Sequence, residues 1–198
     1  MLLYDDLFHR DKTRDQLVVV GYLDGEEIGY IVNHWPSRRG GTQKSEVNRI
    51  RAALVTRQLM DSLRHEHPEM PVIVMGDFND NPNNKSLKQV LQTSAVKDSI
   101  DEYQLYNPME ILYARGYGTI GYRDRWSLFD QILLNRYAVQ RQPGRFSFWK
   151  SGVYAPPYLV QSTGRYQGYP RSTYVAGKYS GGYSDHFPVY LYLIRQVD

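Results

Sequence analysis

The sequence predicts one α+β domain, and three features of the chain support this prediction. A continuous apolar run at residues 71–75 is typical of a strand that is buried on both faces of a sheet. Two β-rich runs, 17–23 and 28–34, flank Asp24-Gly25, which is a strong signal for a short hairpin. Between the hairpin and the buried run, apolar residues recur at helical spacing. Strands and a helix are therefore expected to share one core.

Composition narrows the class of protein. The chain has 198 residues, a formal net charge of +3 and no cysteine. This length suffices for one domain with its own core, and the lack of cysteine excludes disulfides and thiolate metal sites. The small positive charge is compatible with an anionic substrate but does not identify one. We predict no membrane-spanning segment and no signal peptide, and composition predicts no compartment.

The predicted helix follows a glycine-rich loop at residues 38–42, and Ser45 is the predicted N-cap. Its core-facing residues recur at helical spacing: Ala52, Val55, Leu59 and Leu63. Pro68 is expected to end the helical pattern. Arginines lie on the opposite face: Arg49, Arg57 and Arg64. We interpret this face as a solvated surface in preference to a nucleic-acid patch.

The rest of the chain is predicted to be mainly strands and loops. Residues 86–91 form a short helix, 119–122 pair with 128–134, and 188–194 form the last strand. The stretch 143–182 is a long loop rich in Gly, Tyr and Pro, of the kind that serves as a lid or binding loop. Its tyrosines, with one that follows it, are Tyr154, Tyr158, Tyr166, Tyr169, Tyr174, Tyr179 and Tyr183. They could stack on bases or sugars, or simply anchor an ordered loop.

A polar motif directly follows the buried apolar run, at residues 75–82 (MGDFNDNP). Gly76 allows the backbone to turn, Asp77 can accept a proton, and Asn79 can donate its amide hydrogens to an anionic oxygen. A phosphoryl group fits these side chains. Ordinary turns are also rich in Asp, Asn, Gly and Pro, so this motif alone does not establish a site.

Further motifs make the pattern specific. They are VNHWPSR at 32–38, RWSLFDQILL at 125–134 and YSDHFPV at 183–189. In this order, and over nearly the whole chain, the motifs resemble the endonuclease/exonuclease/phosphatase superfamily, the deoxyribonuclease I-like metal-dependent phosphoesterases, and within it a bacterial group. The resemblance implies part of a four-layer α/β/β/α sandwich in which the N-terminal half-sheet is incomplete.

The resemblance also implies roles for the catalytic residues. His186 would exchange a proton with the substrate, and Asp130 would hydrogen-bond to this histidine and orient it. Asp77 would position or deprotonate the attacking water. Asn79 and His34 would contact the scissile phosphate.

The resemblance and the chemistry of the side chains also suggest metal and substrate ligands. Asp185 matches the carboxylate that contributes to the divalent metal site, and oxygen ligands around a phosphate suit Mg²⁺ or Mn²⁺. Arg38 has forked donors that suit phosphate, although a salt bridge to a surface acid is the alternative. Trp126 would contact the sugar, or else lie in the core, and Arg171 would reach the pocket rim, or else be solvated.

The chain departs from the family pattern before His34. The family's first half supplies an Asn and a metal-binding Glu, and none of the early acids fits such a motif: Asp5, Asp6, Asp11, Asp15, Asp24, Glu26 and Glu27. Leu2-Leu3-Tyr4 resembles the strand after that glutamate, so the chain is expected to match the C-terminal part of a longer domain. We therefore expect weak Mg²⁺ binding, and self-association through uncovered sheet surface.

Two functions follow from this interpretation. The first is a metal-dependent, nuclease-like phosphodiester hydrolase represented by an incomplete catalytic domain. The second is a non-catalytic fragment or phosphate-binding module that lacks a functional metal site. Nucleic acids, phosphoinositides and sphingomyelin are all substrates on this fold, and a fold does not choose among them.

Overall fold

The computed structural model describes residues 14–196 of the chain. Within these residues the strands are β1 (Leu17–Leu23), β2 (Glu26–His34), β3 (Val72–Asp77), β4 (Thr93–Ser94), β5 (Leu105–Tyr106), β6 (Ile120–Tyr122), β7 (Arg125–Ser127), β8 (Asp130–Leu134), β9 (Phe146–Val153), β10 (Tyr174–Val175), β11 (Lys178–Tyr179) and β12 (Val189–Arg195). The α-helices are α1 (Thr42–Glu66), α2 (Met109–Ala114) and α3 (Arg136–Val139). Shorter helical turns are Ser86–Val90, Lys97–Ser99 and Pro157–Leu159. The predicted strand at Leu2-Leu3-Tyr4 lies outside the described residues.

The main sheet brings the ends of the motif-bearing strands together. Its strand order is β1-β2-β3-β8-β5-β4. Strand β3 lies between β2, to which it is parallel, and β8, to which it is antiparallel. In this register His34 lies opposite Asp77, and Asp77 lies opposite Asp130. Three predicted site residues are therefore neighbours at one edge of the sheet.

The two faces of the main sheet are covered by different layers. Helix α1 packs on one face through its predicted stripe, in which Ala52, Val55 and Leu63 are buried. A second sheet, formed by β9 and β12, packs on the other face, where Leu191 and Leu193 meet the main-sheet core. These layers confirm the predicted α+β class with a central mixed sheet.

The hairpin prediction is confirmed, and the predicted N-cap of helix α1 is corrected. Strands β1 and β2 pair across Asp24-Gly25, both with positive φ, as a two-residue turn requires. Helix α1 begins at Thr42, so Ser45 lies within its first turn, and its hydroxyl donates to the Gly41 carbonyl at 2.7 Å. Ser45 is therefore not the cap.

The interpretation of the arginine face as solvated is wrong for two of its three residues. Arg49 is 0% exposed, and Arg57 donates to the backbone carbonyls of Leu91 and Tyr103. Arg49 forms an ion pair with Asp80, so both side chains contact groups that are distant in sequence, which a helical pattern does not reveal. Arg64 pairs with Asp61 at the surface, as expected for a solvated residue.

Two strand predictions also need correction. Strand β6 pairs with β7, whereas β8 pairs with β3 and β5. Residues Ile132, Leu133 and Leu134 are buried and so fit the middle of the main sheet, whereas 120–122 contains a glycine and an exposed tyrosine. The stretch predicted as one long loop contains β9, in which Phe148 is buried in the core while Trp149 and Lys150 are exposed.

Apolar side chains are exposed at two places on the sheets. The exposed residues of the edge strand β1 include Leu17, Val19 and Leu23, and those of the second sheet include Trp149 and Tyr192. Self-association through these surfaces stays a prediction. No helix within residues 14–196 has both the length and the apolar character that crossing a bilayer demands.

Candidate active site

The close approach of β2 and β3 depends on one glycine. Gly76 has φ +137°, and a Cβ at this position would lie 1.9 Å from the carbonyl oxygen of Asn33. No residue with a side chain can occupy this position without moving a strand. This approach places His34 beside Asp77, with 3.4 Å between Nε2 and Oδ2.

Asp77, Asp130 and His186 form the core of the candidate site, which we call the Asp-Asp-His cluster. One ligand atom from each lies within 4.8 Å of the others. His186 Nδ1 is 2.6 Å from Asp130 Oδ2, which confirms the predicted hydrogen bond. Thr119 supports Asp130 and the segment that follows His186: its hydroxyl accepts from the Asp130 amide at 3.4 Å, and its carbonyl accepts from the Phe187 amide at 2.8 Å.

Asn79 is held against the cluster by the backbone and by Asp77. It has φ +50°, a left-handed conformation that Asn tolerates better than most residues. Its amide N–H donates to Asp77 Oδ1 at 2.8 Å. Its Nδ2 donates to Asp77 Oδ2 at 3.2 Å and to the Trp35 carbonyl at 3.0 Å. Contact of Nδ2 with a phosphate would replace one of these two bonds.

Mutual charge and burial change the acid-base properties of the cluster. Burial raises the pKa of Asp77, and the negative charge of Asp130 adds to this, against the opposing effects of the Asn79 hydrogen bond and the nearby histidines. Burial acts to lower the pKa of His186, but the hydrogen bond and charge of Asp130, helped by Asp77 and Asp185, raise it overall. Asp77 is thus better able to accept a proton, and His186 better able to hold one, than exposed residues of their types.

Replacing Asp130 by asparagine is expected to lower the pKa of His186, because burial then acts without the charge that opposes it. The measurement is an NMR titration of the imidazole signals in the presence of EDTA, with His186→Gln to identify the resonance. In the unmodified protein this histidine should titrate above the ordinary value of about 6.5.

The raised pKa of His186 also makes the contribution of the His186–Asp130 pair to folding stability depend on pH. Since the folded-state pKa is raised, the pair contributes stability that is complete below the ordinary histidine pKa and is lost as the pH rises through the raised value. Asp130→Asn should remove this pH dependence. An unchanged His186 titration in Asp130→Asn would show that another group sets its pKa.

Two of the predicted substrate ligands, Arg38 and Trp126, contact other residues of the protein. Arg38 donates from Nε to the Asn79 carbonyl at 2.8 Å and from one terminal nitrogen to Asp80 and Asn84. Arg38 therefore forms a salt bridge, although its partner Asp80 is buried and is not the surface acid of the alternative interpretation. Contact of Arg38 with substrate stays a prediction. Trp126 packs between Tyr169, at 5.4 Å, and Phe187, at 6.0 Å between ring centroids, which favours the core interpretation.

The other two predicted ligands are exposed. Arg171 forms no ion pair and no side-chain hydrogen bond with any of residues 14–196, so its predicted contact with substrate rests on the sequence alone. Asp185 precedes the cluster's histidine but is not a member of the cluster. It lines an adjacent groove instead. Its role as a metal ligand stays a prediction.

A buried ionic network behind the site was not predicted. Asp80, 1% exposed, has Oδ1 at 2.7 Å from Arg49 Nε and at 3.1 Å from Arg38. Ser86 donates its hydroxyl to Asp80 Oδ2 at 2.7 Å. The network anchors the loop that carries Asp77 and Asn79. Sequence position gives no signal for it, since Asp80 has the appearance of an ordinary turn residue.

Three of the early acids, Asp24, Glu26 and Glu27, lie away from the cluster. Asp24 and Glu26 lie at the hairpin end of β2, whereas His34 lies at the other end of the same strand. Asp24 pairs with Arg195, and Glu26 pairs with Arg145. Asp24 and Glu26 are therefore not placed to act as metal ligands at the cluster.

The mixed sheet, its flanking helix and the cluster at the sheet edge define a protein of the deoxyribonuclease I-like fold class. The chain matches the Endonuclease/Exonuclease/phosphatase family over residues 3–195, and it belongs to that family. Members of this family are generally hydrolases that cleave phosphoesters. No curated protein matches the sequence.

Solved structures resemble the chain at the level of the fold. TDP2 of D. rerio complexed with single strand DNA product is 16% identical, with a TM-score of 0.52, and the match covers 90% of this chain and 61% of that one. Beta toxin of Staphylococcus aureus with bound magnesium ions is 17% identical, with a TM-score of 0.50 and coverage of 88% and 56%. The mannosyl-6-phosphatase Bt3783 of Bacteroides thetaiotaomicron is 20% identical, with a TM-score of 0.49 and coverage of 86% and 52%. The chain thus spans between about half and three fifths of the length of these proteins.

Proposed function

We propose that the cleft at the ends of β2, β3 and β8 hydrolyses phosphodiester bonds with the help of Mg²⁺ or Mn²⁺. The observation that carries this proposal is the convergence of Asp77, Asp130 and His186 within 4.8 Å. Membership of a family that cleaves phosphoesters supports the reaction type. The bound magnesium of the beta toxin structure supports the choice of metal.

The residues of the cluster can divide the proton transfers between them. Hydrolysis requires a base for the attacking water and an acid for the leaving alkoxide. Asp77, whose pKa is raised by burial, is suited to accept the proton of the water. His186 Nδ1 is bound to Asp130, so Nε2 is the nitrogen that can donate a proton to the leaving oxygen.

The donor set fits a divalent cation with a partly aqueous coordination sphere. Carboxylate oxygens are the ligands that Mg²⁺ and Mn²⁺ prefer, and Asp77, with Asp185 beside the cluster, would hold the ion. A bound cation would neutralise charge that develops on the phosphoryl oxygens. Because Asp130 is already hydrogen-bonded to His186, few protein ligands are left and weak metal affinity is expected.

The second candidate, a phosphate-binding module without catalysis, is supported by the same small ligand set. His34 and His186 could attract a phosphate through their ring nitrogens even if the carboxylates failed to hold a metal. Metal-dependent turnover separates the two candidates.

The 198-residue chain is expected to bind Mg²⁺ and Mn²⁺ weakly and to hydrolyse bis(p-nitrophenyl) phosphate slowly, with activity that EDTA removes. Calorimetric titration measures the affinity, and nitrophenolate release measures the turnover. Asp77→Asn should abolish turnover, since it removes both a base and a metal ligand. Asp61→Asn, which changes a surface acid on α1, is the control and should leave turnover unchanged.

Two results would contradict these expectations. Binding of inorganic phosphate without turnover in either metal would favour the phosphate-binding module. Tight stoichiometric metal binding with rapid cleavage would show that other acids complete the site.

A further inference from the structure

Trp35 lies directly after strand β2 and contacts the loop that carries Asp77 and Asn79. Its backbone amide donates to the Asp77 carbonyl at 2.9 Å, and its carbonyl accepts from Asn79 Nδ2 at 3.0 Å. Its indole ring meets the ring of Phe78 edge-on, with 4.7 Å between the ring centroids. Trp35 thus contacts each of the three residues from 77 to 79.

The indole ring of Trp35 is fixed by a buried hydrogen bond. Its Nε1–H donates to Asn33 Oδ1 at 2.9 Å, and both residues are buried. The hydroxyl of Thr56, on helix α1, lies 3.1 Å from the same oxygen. Because a buried indole N–H requires an acceptor, Asn33 fixes the orientation of the ring relative to the main sheet and to the helix that covers it.

The side chain of Trp35 determines where its backbone groups lie. The two backbone bonds do not by themselves require a tryptophan, since every residue except proline has both groups. The ring, however, is held by Asn33 on one side and packs on Phe78, which is 0% exposed, on the other. Asn79 Nδ2 also donates to Asp77 Oδ2 at 3.2 Å. A movement of the Trp35 carbonyl would therefore change the contact between Asn79 and Asp77.

We infer that Trp35 is a positioning residue of the candidate site. Its ring, held between Asn33 and Phe78, keeps Asp77 and Asn79 in the geometry that the reaction needs. Trp35 is 1% exposed, so it acts through these residues and does not contact a substrate. The effect on catalysis rests on the proposed function, whereas the effect on the loop is measured without turnover.

This support is separate from the buried network of Asp80. That network reaches Asn79 through Arg38, which donates to the Asn79 backbone carbonyl. Trp35 instead accepts from the Asn79 side chain and donates to the Asp77 backbone. Loss of the Trp35 anchor is therefore expected to disturb the loop even while the Asp80 network is intact.

Hydrogen exchange tests the position of the loop. The exchange rate of each backbone amide is measured by NMR for the full chain in EDTA. Trp35→Phe keeps an aromatic ring but removes the indole N–H, and the Asn79 amide should then exchange about fivefold faster or more, the effect of losing roughly one hydrogen bond. Asn33→Ala removes the acceptor and should have the same effect. The double variant should show no further increase, because both changes remove one shared bond.

Phe148→Leu is the control for a general loss of stability. Phe148 is buried next to Tyr106 and belongs to a different core cluster from Trp35. This variant should speed the exchange of the slowest amides, which depends on global unfolding. It should leave the exchange rate of the Asn79 amide unchanged.

Turnover of bis(p-nitrophenyl) phosphate in Mn²⁺ tests the consequence for the reaction. Trp35→Phe and Asn33→Ala should each lower the turnover number about tenfold or more, because a small displacement of positioned groups is costly, and the Michaelis constant should change far less. Phe148→Leu should keep its turnover.

Two results would overturn the inference. One is an Asn79 amide that exchanges no faster in Trp35→Phe and Asn33→Ala than in Phe148→Leu. The other is faster exchange of this amide with unchanged turnover. A lack of turnover in the unmodified chain would contradict the proposed function instead, and the exchange rates would still decide whether Trp35 holds the loop.

Discussion

Replacing Asp80 by alanine is expected to lower the free energy of unfolding by about 3–5 kcal/mol, because removing one partner leaves a buried charge without compensation. Arg49 is 0% exposed and would lose its ion pair, and Ser86 would lose its hydrogen-bond acceptor. Equilibrium unfolding in urea, followed by circular dichroism, measures the change.

A partly exposed acid on α1 provides the control. Asp61 pairs with Arg64 at the protein surface, and Asp61→Ala should change the free energy of unfolding by less than about 1 kcal/mol. Arg49→Met in the Asp80→Ala background should recover part of the loss, because the double variant no longer buries the Arg49 charge. If Asp80→Ala and Asp61→Ala had similar small effects, the buried network would not be a major source of stability.

The buried network around Asp80 also holds residues of the candidate site in position. Arg38, held by Asp80, donates to the Asn79 carbonyl, and Asn79 in turn donates to both oxygens of Asp77. The loop that carries Asp77 is thus supported from behind by buried charges.

Replacing His186 by alanine is expected to reduce phosphodiester turnover by at least about a hundredfold, the lower end of what a positioned acid or base contributes. The imidazole is oriented by a 2.6 Å contact with Asp130. Steady-state turnover of bis(p-nitrophenyl) phosphate in Mn²⁺ measures the effect. The Michaelis constant should change far less than the turnover number.

His65 supplies the control, because it is an exposed histidine in the last turn of α1. His65→Ala should leave turnover unchanged. Turnover by His186→Ala close to that of the unchanged protein would remove this histidine from the mechanism.

Several elements of the fold were predictable because their signals are local. The Asp24-Gly25 turn between two β-rich runs gives the hairpin, and the continuous apolar run gives the central strand β3. The stripe of Ala52, Val55 and Leu63 identifies the buried face of α1. Each signal depends on residues a few positions apart, so one sequence is enough to detect it.

The centre of the site was predictable for a related reason. His34, Asp77 and Asp130 each lie within three residues of the end of a predicted strand, and the sheet register brings those ends together. The peripheral residues were harder to place. Arg38 carries the donors that suit a phosphate, but its proximity to Asp80 directs them into the protein.

The sequence by itself determined the α+β class, the family resemblance and the residues that meet at the sheet edge, because these depend on local periodicity and on motifs at strand ends. Only the tertiary structure decided that β8 joins β3, that Arg49 is buried on Asp80, and that tyrosines of distant segments line one groove. Each of these depends on contacts between residues far apart in the chain. The free energy of each contact depends on a partner residue that cannot be identified from the local sequence. The folded structure is therefore needed to reveal these contacts.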